Sequence, residues 1–261
     1  MHFDWYAATL PASVNHCHNS IINHFSGSFI PEKPQRPYKQ AVRHKEGGFR
    51  VYHGGPNPHP FFVASGEVAE IGRDFVREFY PIHRVARADV AFDFREEGGF
   101  ERMVQIIEPI ARKSGAAVTF LGDPEPGQKA GRTMYFGSWK SDVQLKVYEK
   151  GLERRAKGVP DAPEDWIRVE LKTQPRKERK SLAATMDEDQ LWGLSKWTKA
   201  TLEKLDGTVV EYQPDRSMRK STADRAVAHM LKQYAGPMRA FVQEHSVEVL
   251  LDRIRDVLAA Q

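Results

Sequence analysis

Two neighbouring segments of the chain alternate apolar and polar residues with the period of a β-strand. Residues 141–150 and 166–172 place an apolar side chain at every second position over most of their length. Because successive side chains of a strand point to opposite faces of a sheet, the pattern predicts two half-buried strands. Their polar face is expected to display Tyr148 and Glu170 together, beside several cations. The apolar positions are Val143, Leu145, Val147, Ile167, Val169 and Leu171.

A third segment, residues 84–94, alternates in the same way but carries two acids, Asp89 and Asp93, on its polar face. Acidic residues are depleted in strands, so these two are candidates for a functional site. At a rise of ~3.3 Å per residue they are ~13 Å apart, which is too far for both to bind one metal ion without a bulge. At most one of them is therefore expected to be a direct ligand of a single ion.

The rest of the pattern predicts short strands and amphipathic helices, with helices only after residue 181. Further strands are expected over 49–53, 61–64, 117–121 and 131–138. Helices are expected over 12–25, 67–80, 100–113, 182–205, 222–234 and 238–260, the last two separated at Gly236-Pro237. Segments without periodicity are interpreted as a loop over 31–48, a turn over 123–127 and a charged loop over 150–166. Near the N-terminus, Phe3, Trp5 and Tyr6 form an apolar cluster in the sequence, and Trp192 and Trp197 are expected in the core.

Length and composition limit the number of domains and the kinds of partner that the chain can have. A length of 261 residues indicates one large domain or a domain with an appendage. A net charge of +4 allows a nucleic-acid partner without requiring one. The cations are concentrated in residues 150–180, where ten Lys or Arg stand against six Asp or Glu. This segment is either a phosphate-binding surface or a solvated linker face.

Several classes of protein are disfavoured by the sequence. No apolar run reaches the ~18 residues of a membrane-spanning helix, and no basic region followed by an apolar block indicates a signal peptide. The single cysteine, Cys17, excludes an internal disulfide and any multi-cysteine metal site, and it fits a reducing compartment. A cytoplasmic protein without a membrane partner is therefore expected.

The sequence His16-Cys17-His18 invites comparison with the histidine metal motif of one large class of single-strand nucleases. Those nucleases pair the motif, on a central strand, with a helix that bears a tyrosine followed four residues later by lysine. No tyrosine in this chain has a lysine at that spacing. The pattern predicts instead that these histidines lie on the short amphipathic helix over residues 12–25.

Four motifs, taken in order, carry a resemblance to a known family. They are Arg87–Asp93 (RADVAFD), Tyr135–Asp142 (YFGSWKSD), Val147–Glu153 (VYEKGLE) and Arg168–Leu171 (RVEL). Together they resemble the rolling-circle replication initiators of small plasmids and filamentous phages, which have relatives among the relaxases of conjugative elements. The likeness also takes in Tyr52–Gly55 and Ala64–Gly66, and it covers roughly residues 50 to 235.

The resemblance implies an endonuclease that nicks one strand of a replication origin and stays attached through a tyrosine. The nucleophile of the family maps to Tyr148, although Glu149 stands where the family usually has Asp or Asn. Lys150 and Arg168, together with Lys146, are expected to favour the phenolate, since an unperturbed tyrosine ionises only near pH ~10. Tyr135 is the rival nucleophile.

The acidic positions of the family map to Asp89, Asp93 and Glu170, and a Mg²⁺ or Mn²⁺ ion is expected to be held by Glu170 and one of the two aspartates. Hard oxygen ligands favour these ions over zinc. The alternative is that Glu170 only pairs with cross-strand neighbours. The expected partner is origin DNA, single-stranded or supercoiled, in a bacterial host. A host helicase and a second copy of the chain remain open as further partners.

The predicted fold class is α+β, a mainly antiparallel sheet with helices over its apolar face and the site on its polar face. The expected divisions are an N-terminal segment and loop (1–48), a catalytic nicking core (49–180) and a helical C-terminal region (181–261). Origin binding is assigned by analogy to that region or to residues 150–180. Two other functions stay open: a mobilisation relaxase with the same chemistry, and a non-catalytic DNA-binding regulator on the same fold.

Overall fold

A computed structural model of the chain describes residues 1–25, 28–122, 131–206 and 235–259. The predicted turn over 123–127 and the predicted helix over 222–234 lie outside the described residues. The chain divides into two compact units, one made of residues 1–14 and 30–213 and the other of residues 15–29 and 214–261. The first unit contains the strands and helices that position the candidate site.

Ten strands and nine α-helices occur within the described residues. The strands are β1 His2–Thr9, β2 Phe29–Pro31, β3 Gln40–His44, β4 Phe49–His53, β5 Phe61–Ser65, β6 Arg84–Arg95, β7 Val118–Leu121, β8 Thr133–Phe136, β9 Val143–Glu149 and β10 Trp166–Thr173. The helices are α1 Val14–His24, α2 Ala69–Phe79, α3 Gly99–Lys113, α4 Lys150–Ala156, α5 Arg179–Leu182, α6 Glu188–Trp192, α7 Lys196–Leu205, α8 Ala235–Glu244 and α9 Val247–Ala259. A 3-10 helix, Gly66–Val68, precedes α2.

The described strands form one sheet in the order β2-β3-β4-β5-β1-β6-β10-β9-β8-β7. Neighbours from β3 to β7 run antiparallel. The strand β10 lies between β6 and β9, so that Arg168 is opposite Asp93 on one side and Tyr148 on the other. The predicted α+β class with a mainly antiparallel sheet is confirmed.

The apolar face of the sheet packs against helices, as the alternation predicts. Side chains of β6, β9 and β10 form one core with the apolar stripe of α3 and with Trp192 and Leu205. Burying a side chain of this size contributes about 1.5–3 kcal/mol, so this layer supplies much of the stability of the sheet. The α3 stripe consists of Phe100, Met103, Ile107 and Ala111. Trp192 is fully buried, which confirms its assignment to the core, and Trp197 packs against the same cluster.

The N-terminal cluster of aromatic residues is part of a strand, β1, that the sequence pattern does not predict. β1 pairs with β5 on one side and β6 on the other, so it is an interior strand of the sheet. The prediction of a loop over 31–48 is also wrong at residues 40–44, where β3 pairs with β4. The sequence of β3, QAVRH, does not show the alternation of a strand, because only Ala41 and Val42 are apolar.

Two predictions about helices are corrected in detail. The charged loop expected over 150–166 begins with a helical segment, α4, whose first residue is Lys150. The single helix expected over 182–205 is divided into α5, α6 and α7, and a capping box of Asp187 and Gln190 starts α6.

The second unit contains nearly all of α1 together with α8 and α9. The predicted helix over 12–25 corresponds to α1, with Cys17 and Ile21 buried. The helix predicted to begin after Gly236-Pro237 begins at Ala235 and ends at Glu244, before α9 follows. Pro237 lies in the first turn of α8, where a proline is tolerated because its missing N–H would have no helical partner. None of the described helices is long and apolar enough to cross a membrane.

Candidate active site

Tyr148 lies near the end of β9 and points to the polar face of the sheet. Its hydroxyl donates a hydrogen bond to Oε2 of Glu170 at 3.3 Å. The other carboxylate oxygen of Glu170 is 2.8 Å from Nζ of Lys146, the residue directly opposite it on β9. The structure thus brings together the phenol and the carboxylate that the alternation placed on one face.

Two amino groups lie over the ring of Tyr148. Nζ of Lys146 is 4.8 Å from the ring centroid, and Nζ of Lys150, the first residue of α4, is 5.4 Å away. Only 8% of the surface of Tyr148 is exposed, and this burial raises the pKa of its hydroxyl well above the usual value. The charge of Arg168 acts in the opposite direction and lowers the pKa of the phenol. The negative charges of Glu170, Asp4 and Glu153 raise the pKa of the phenol further, so it is protonated at neutral pH, and Arg168 is the charge that favours its anion.

Lys150 is held at the site by an ion pair within its own helix. Its Nζ is 2.8 Å from Oε2 of Glu153. Burial lowers the pKa of the Lys150 ammonium, and the nearby charge of Arg168 lowers it further. A lysine with a lowered pKa gives up a proton more readily than an exposed one, so Lys150 has the properties of a general acid.

Arg168 is fixed by carboxylates from two other strands. Its Nε and Nη2 donate to the two oxygens of Asp93 at 2.7 and 2.8 Å, and Nη1 donates to Asp4 at 2.8 Å. The indole of Trp166 donates a further hydrogen bond to Asp93 at 2.7 Å. Such a two-point contact orients the guanidinium plane, so Arg168 is positioned before any substrate binds.

Asp89 lies on the same face four residues earlier on β6. Both of its oxygens accept hydrogen bonds from Nε of Arg87, at 2.9 and 3.1 Å. Burial raises the pKa of Asp89 to about 7, against the opposing effect of Arg87, and the negative charge of Glu170 raises it further. Since Asp89 contacts Arg87 and Asp93 contacts Arg168, the two aspartates occupy separate positions, as the strand rise predicts.

Asp4 on β1 also contacts Arg168, although the sequence pattern does not predict it as a site residue. The pairing of β1 with β6 shifts between Phe3 and Trp5, so Asp4 is the extra residue of a β-bulge. Although burial opposes it, the charge of Arg168 holds the pKa of Asp4 below its usual value. Asp4 is an acidic residue within an apolar segment of the sequence. Acidic residues are depleted in strands, which is also the reason why Asp89 and Asp93 are candidates for the site.

Tyr135, the rival nucleophile, lies on β8, directly opposite Lys146 of β9. Cross-strand partners share a face, so Tyr135 also belongs to the polar face, one strand further out than Tyr148. Tyr148 differs in that its hydroxyl bonds to Glu170 and Arg168 lies opposite it.

The basic segment over residues 150–180 is not one surface. The cations of α4 precede β10, whereas Arg176, Lys177, Arg179 and Lys180 follow it. An eight-residue strand is ~26 Å long, so the two groups lie at opposite ends of β10. Between them only Arg168 and Lys172 contribute positive charge from the strand itself.

Among the described residues, no three His, Cys, Asp or Glu side chains form a group that could hold a metal ion by themselves. The prediction that Glu170 and one of the two aspartates, Asp89 or Asp93, bind one stays a prediction. Each of these carboxylates contacts a cationic side chain: Arg87, Arg168 and Lys146, respectively.

Comparison with known proteins agrees with the motifs. Residues 83–257 match a family model described as Replication initiation factor. A solved structure of a rolling circle replication initiator protein from Geobacillus stearothermophilus is similar, with a TM-score of 0.51 and 18% identity over 70% of this chain and 76% of that chain. At this identity the likeness shows a common fold. No curated protein matches the sequence. Because the family model spans more than half of the chain and includes β6, β9 and β10, this chain belongs to the replication initiation factor family.

Proposed function

We propose that this chain initiates rolling-circle DNA replication by nicking one strand of an origin and remaining joined to it through Tyr148. The observation that carries the proposal is the hydrogen bond from the Tyr148 hydroxyl to Glu170, with Arg168 opposite the tyrosine and two lysines over its ring. Membership of the replication initiation factor family supports the same conclusion.

The reaction is a transfer of a phosphodiester from one oxygen to another. The Tyr148 oxygen forms a bond to phosphorus, and the bond between phosphorus and the 3′ oxygen of the preceding nucleotide breaks. One DNA end becomes a 5′-phosphotyrosyl ester and the other a free 3′ hydroxyl, which can prime synthesis. A side-chain nucleophile is required because attack by water would release the 5′ end from the protein.

Two proton transfers accompany this step. The proton of the phenol passes to Glu170, which already accepts its hydrogen bond. The leaving 3′ oxygen takes a proton from the Lys150 ammonium, whose pKa burial has lowered. Arg168 stabilises the developing phenolate and the negative charge of the phosphoryl group.

Asp93 and Asp4 act as positioning residues in this proposal. They hold three nitrogens of Arg168 and thereby set the direction in which its guanidinium faces the tyrosine. This role for Asp93 follows from its contacts, while its part as a metal ligand stays a prediction.

The divalent ion would be held by Glu170 and Asp89. Mg²⁺ commonly binds through one or two carboxylates together with substrate phosphate oxygens, so a pair of acids fits it better than an all-protein cage. The effect of the Glu170 charge on the pKa of Asp89 supports this pairing, because mutual repulsion between two carboxylates is relieved by a cation. When bound, the ion would neutralise charge on the scissile phosphate.

The nicking proposal is tested by replacing Tyr148→Phe, with Tyr135→Phe as the matched control. The substrate is a supercoiled plasmid carrying the DNA that flanks the gene, with Mg²⁺ or Mn²⁺ present. We expect Tyr148→Phe to abolish both the nicked circle and the covalent complex on a denaturing gel. DNA binding should be unchanged, because only one hydroxyl is lost. The control should nick normally.

Three results would contradict this assignment. Normal nicking by Tyr148→Phe would exclude Tyr148 as the nucleophile. Loss of nicking in Tyr135→Phe alone would transfer the role to Tyr135. Binding without cleavage by the unaltered chain, with either metal, would favour the regulator over the enzyme.

The metal site is tested without measuring activity. Titration of the Tyr148→Phe protein with Mn²⁺, followed by isothermal calorimetry, should give one binding site. Glu170→Gln and Asp89→Asn should each weaken it by about 10- to 100-fold, since each removes one anionic ligand. Unchanged affinity in both variants would exclude this pair of ligands.

A further inference from the structure

A large aromatic side chain is displayed on the turn between β8 and β9. Trp139 is 68% exposed, and Nζ of Lys140 lies 5.0 Å from its ring. An exposed tryptophan is unusual because the side chain has much apolar area to bury, so its exposure suggests a ligand that stacks on it.

The turn that carries Trp139 is held in place by hydrogen bonds to its backbone. The Ser141 amide donates to the Ser138 carbonyl at 3.0 Å, and Nζ of Lys172 donates to the carbonyl of Trp139 itself at 3.1 Å. Arg176 donates to the carbonyl of Lys140. A turn fixed in this way loses little conformational entropy when a ligand stacks on its side chain.

Four cations lie between this turn and Tyr148, although Asp142 at the end of the turn pairs with Arg176 and Glu170 pairs with Lys146. Lys140 and Arg176 lie at the turn, Lys172 follows on β10, and Lys146 lies beside the ring of Tyr148. Lys172 is opposite Gln144 in the register of β10 with β9, four residues from Tyr148. At ~3.3 Å per residue, the distance along β9 from Tyr148 to Gln144, just before the turn, is ~13 Å. A single strand of a few nucleotides spans this distance.

We propose that these residues form a track for single-stranded DNA, in which phosphates follow Lys146, Lys172 and Lys140 and a base stacks on Trp139. The inference rests on the proposed function, since it places the scissile phosphate at Tyr148. Charge complementarity and continuity with the candidate site identify the ligand. An aromatic face with flanking cations is the arrangement that binds single strands without reading their sequence.

The track is tested by comparing a DNA strand that carries bases with a strand that lacks them. Fluorescence anisotropy would compare a fluorescein-labelled 16-nucleotide oligothymidine with a 16-nucleotide abasic strand of the same backbone. The proteins are variants in the Tyr148→Phe background, so that no covalent product forms. They are Trp139→Leu, Trp139→Phe and, as a control at an apolar side chain that is even more exposed, Ile82→Ala.

We expect Trp139→Leu to raise the Kd for oligothymidine by about 5- to 100-fold, because one stacked base is lost. Its Kd for the abasic strand should stay within about twofold. Trp139→Phe retains an aromatic face and should lose far less affinity. The Ile82→Ala control should bind both strands as the parent does.

Several results would overturn the track. They are undiminished oligothymidine binding by Trp139→Leu, equal losses on the thymidine and abasic strands, no binding of oligothymidine by the parent, and stronger competition by a 16-base-pair duplex. Nicking is measured separately with the unaltered chain. If no covalent product forms, the proposed nicking function is contradicted, but the binding result for Trp139 still stands. If nicking is normal and Trp139→Leu does not change binding, only the proposed track is contradicted.

Discussion

Individual side chains on the polar face differ in how well a sequence could place them. Strand periodicity predicts that Tyr148 and Glu170 share the polar face, and the pairing of β9 with β10 then places them diagonally across neighbouring strands. The contacts of Asp93 with Arg168 and Trp166 required the pairing of β6 with β10. Asp4 could not be placed, since it reaches Arg168 only through a bulge that breaks the period.

A buried histidine outside the site leads to a prediction about pH. Nδ1 of His83 is 2.7 Å from the carbonyl of Tyr80, which can only accept, so Nδ1 carries the proton. Nε2 therefore accepts from the hydroxyl of Tyr6 at 2.6 Å. Burial lowers the pKa of His83 below its usual value, and the charge of Arg77 contributes in the same direction.

A lowered histidine pKa means that the unfolded chain takes up a proton before the folded chain does. The contribution of His83 to stability is therefore present above pH ~6.5 and is lost as the pH falls toward the folded-state pKa. We expect His83→Asn, which cannot titrate, to flatten the fall in unfolding free energy as the pH decreases below ~6.5, by up to about 1.4 kcal/mol per pH unit.

Urea denaturation at a series of pH values measures this effect. His59→Asn is the control, because His59 is exposed and its backbone amide bonds to Asn57. An unchanged pH slope in His83→Asn would show that protonation of His83 is not linked to folding.

At the scale of elements, the sheet brings the candidate site together by placing β10 between β6 and β9. The alternating strands 84–94, 141–150 and 166–172 were predictable because each has one apolar and one polar face. β1 and β3 were not predicted. β1 is largely buried on both sides, and β3 has only two apolar residues. Helix α4 was missed because its charged sequence resembles a loop, although it presents Lys150 to the ring of Tyr148.

The start of α4 depends on a close approach of two backbone segments. A Cβ atom added to Gly151 would be 1.6 Å from the carbonyl oxygen of Pro163. The segment before β10 or the helix would have to move, and with it Lys150. We expect Gly151→Ala to destabilise the chain by about 1–3 kcal/mol and to slow nicking.

Urea unfolding and a nicking time course would measure these two effects. The control is Gly193→Ala, at the end of α6, where the nearest backbone atom would be 3.1 Å from the added Cβ. That substitution should change stability by less than about 1 kcal/mol. Equal stability of the two variants would contradict the proposed close approach at Gly151.

At the scale of the whole molecule, a net charge of +4 does not predict how tightly the chain binds DNA, because the contribution of each cation depends on where it lies. The proposed track contains three of them, Lys146, Lys172 and Lys140. Single-strand binding that neutralises three phosphates should weaken with salt, with a slope of about −2 for log K against log[salt]. We expect Lys140→Gln to reduce the magnitude of this slope by about 0.7.

Anisotropy titrations with oligothymidine at four salt concentrations would measure the slope. Lys199→Gln is the control, since Lys199 is an exposed cation on α7, a helix that packs with the core on the apolar face. An equal decrease in both variants would mean that binding follows net charge and not the track.

The sequence by itself determined the fold class, the family and the polar strand face that carries Tyr148, Glu170, Asp89 and Asp93. These features depend on local periodicity and on short motifs, which are properties of neighbouring residues. Tertiary structure alone decided which cation each carboxylate contacts, that Asp4 joins Arg168, and that the basic segment is divided by β10. These are contacts between strands far apart in the chain, and no local pattern specifies which strands become neighbours or where a bulge shifts their register.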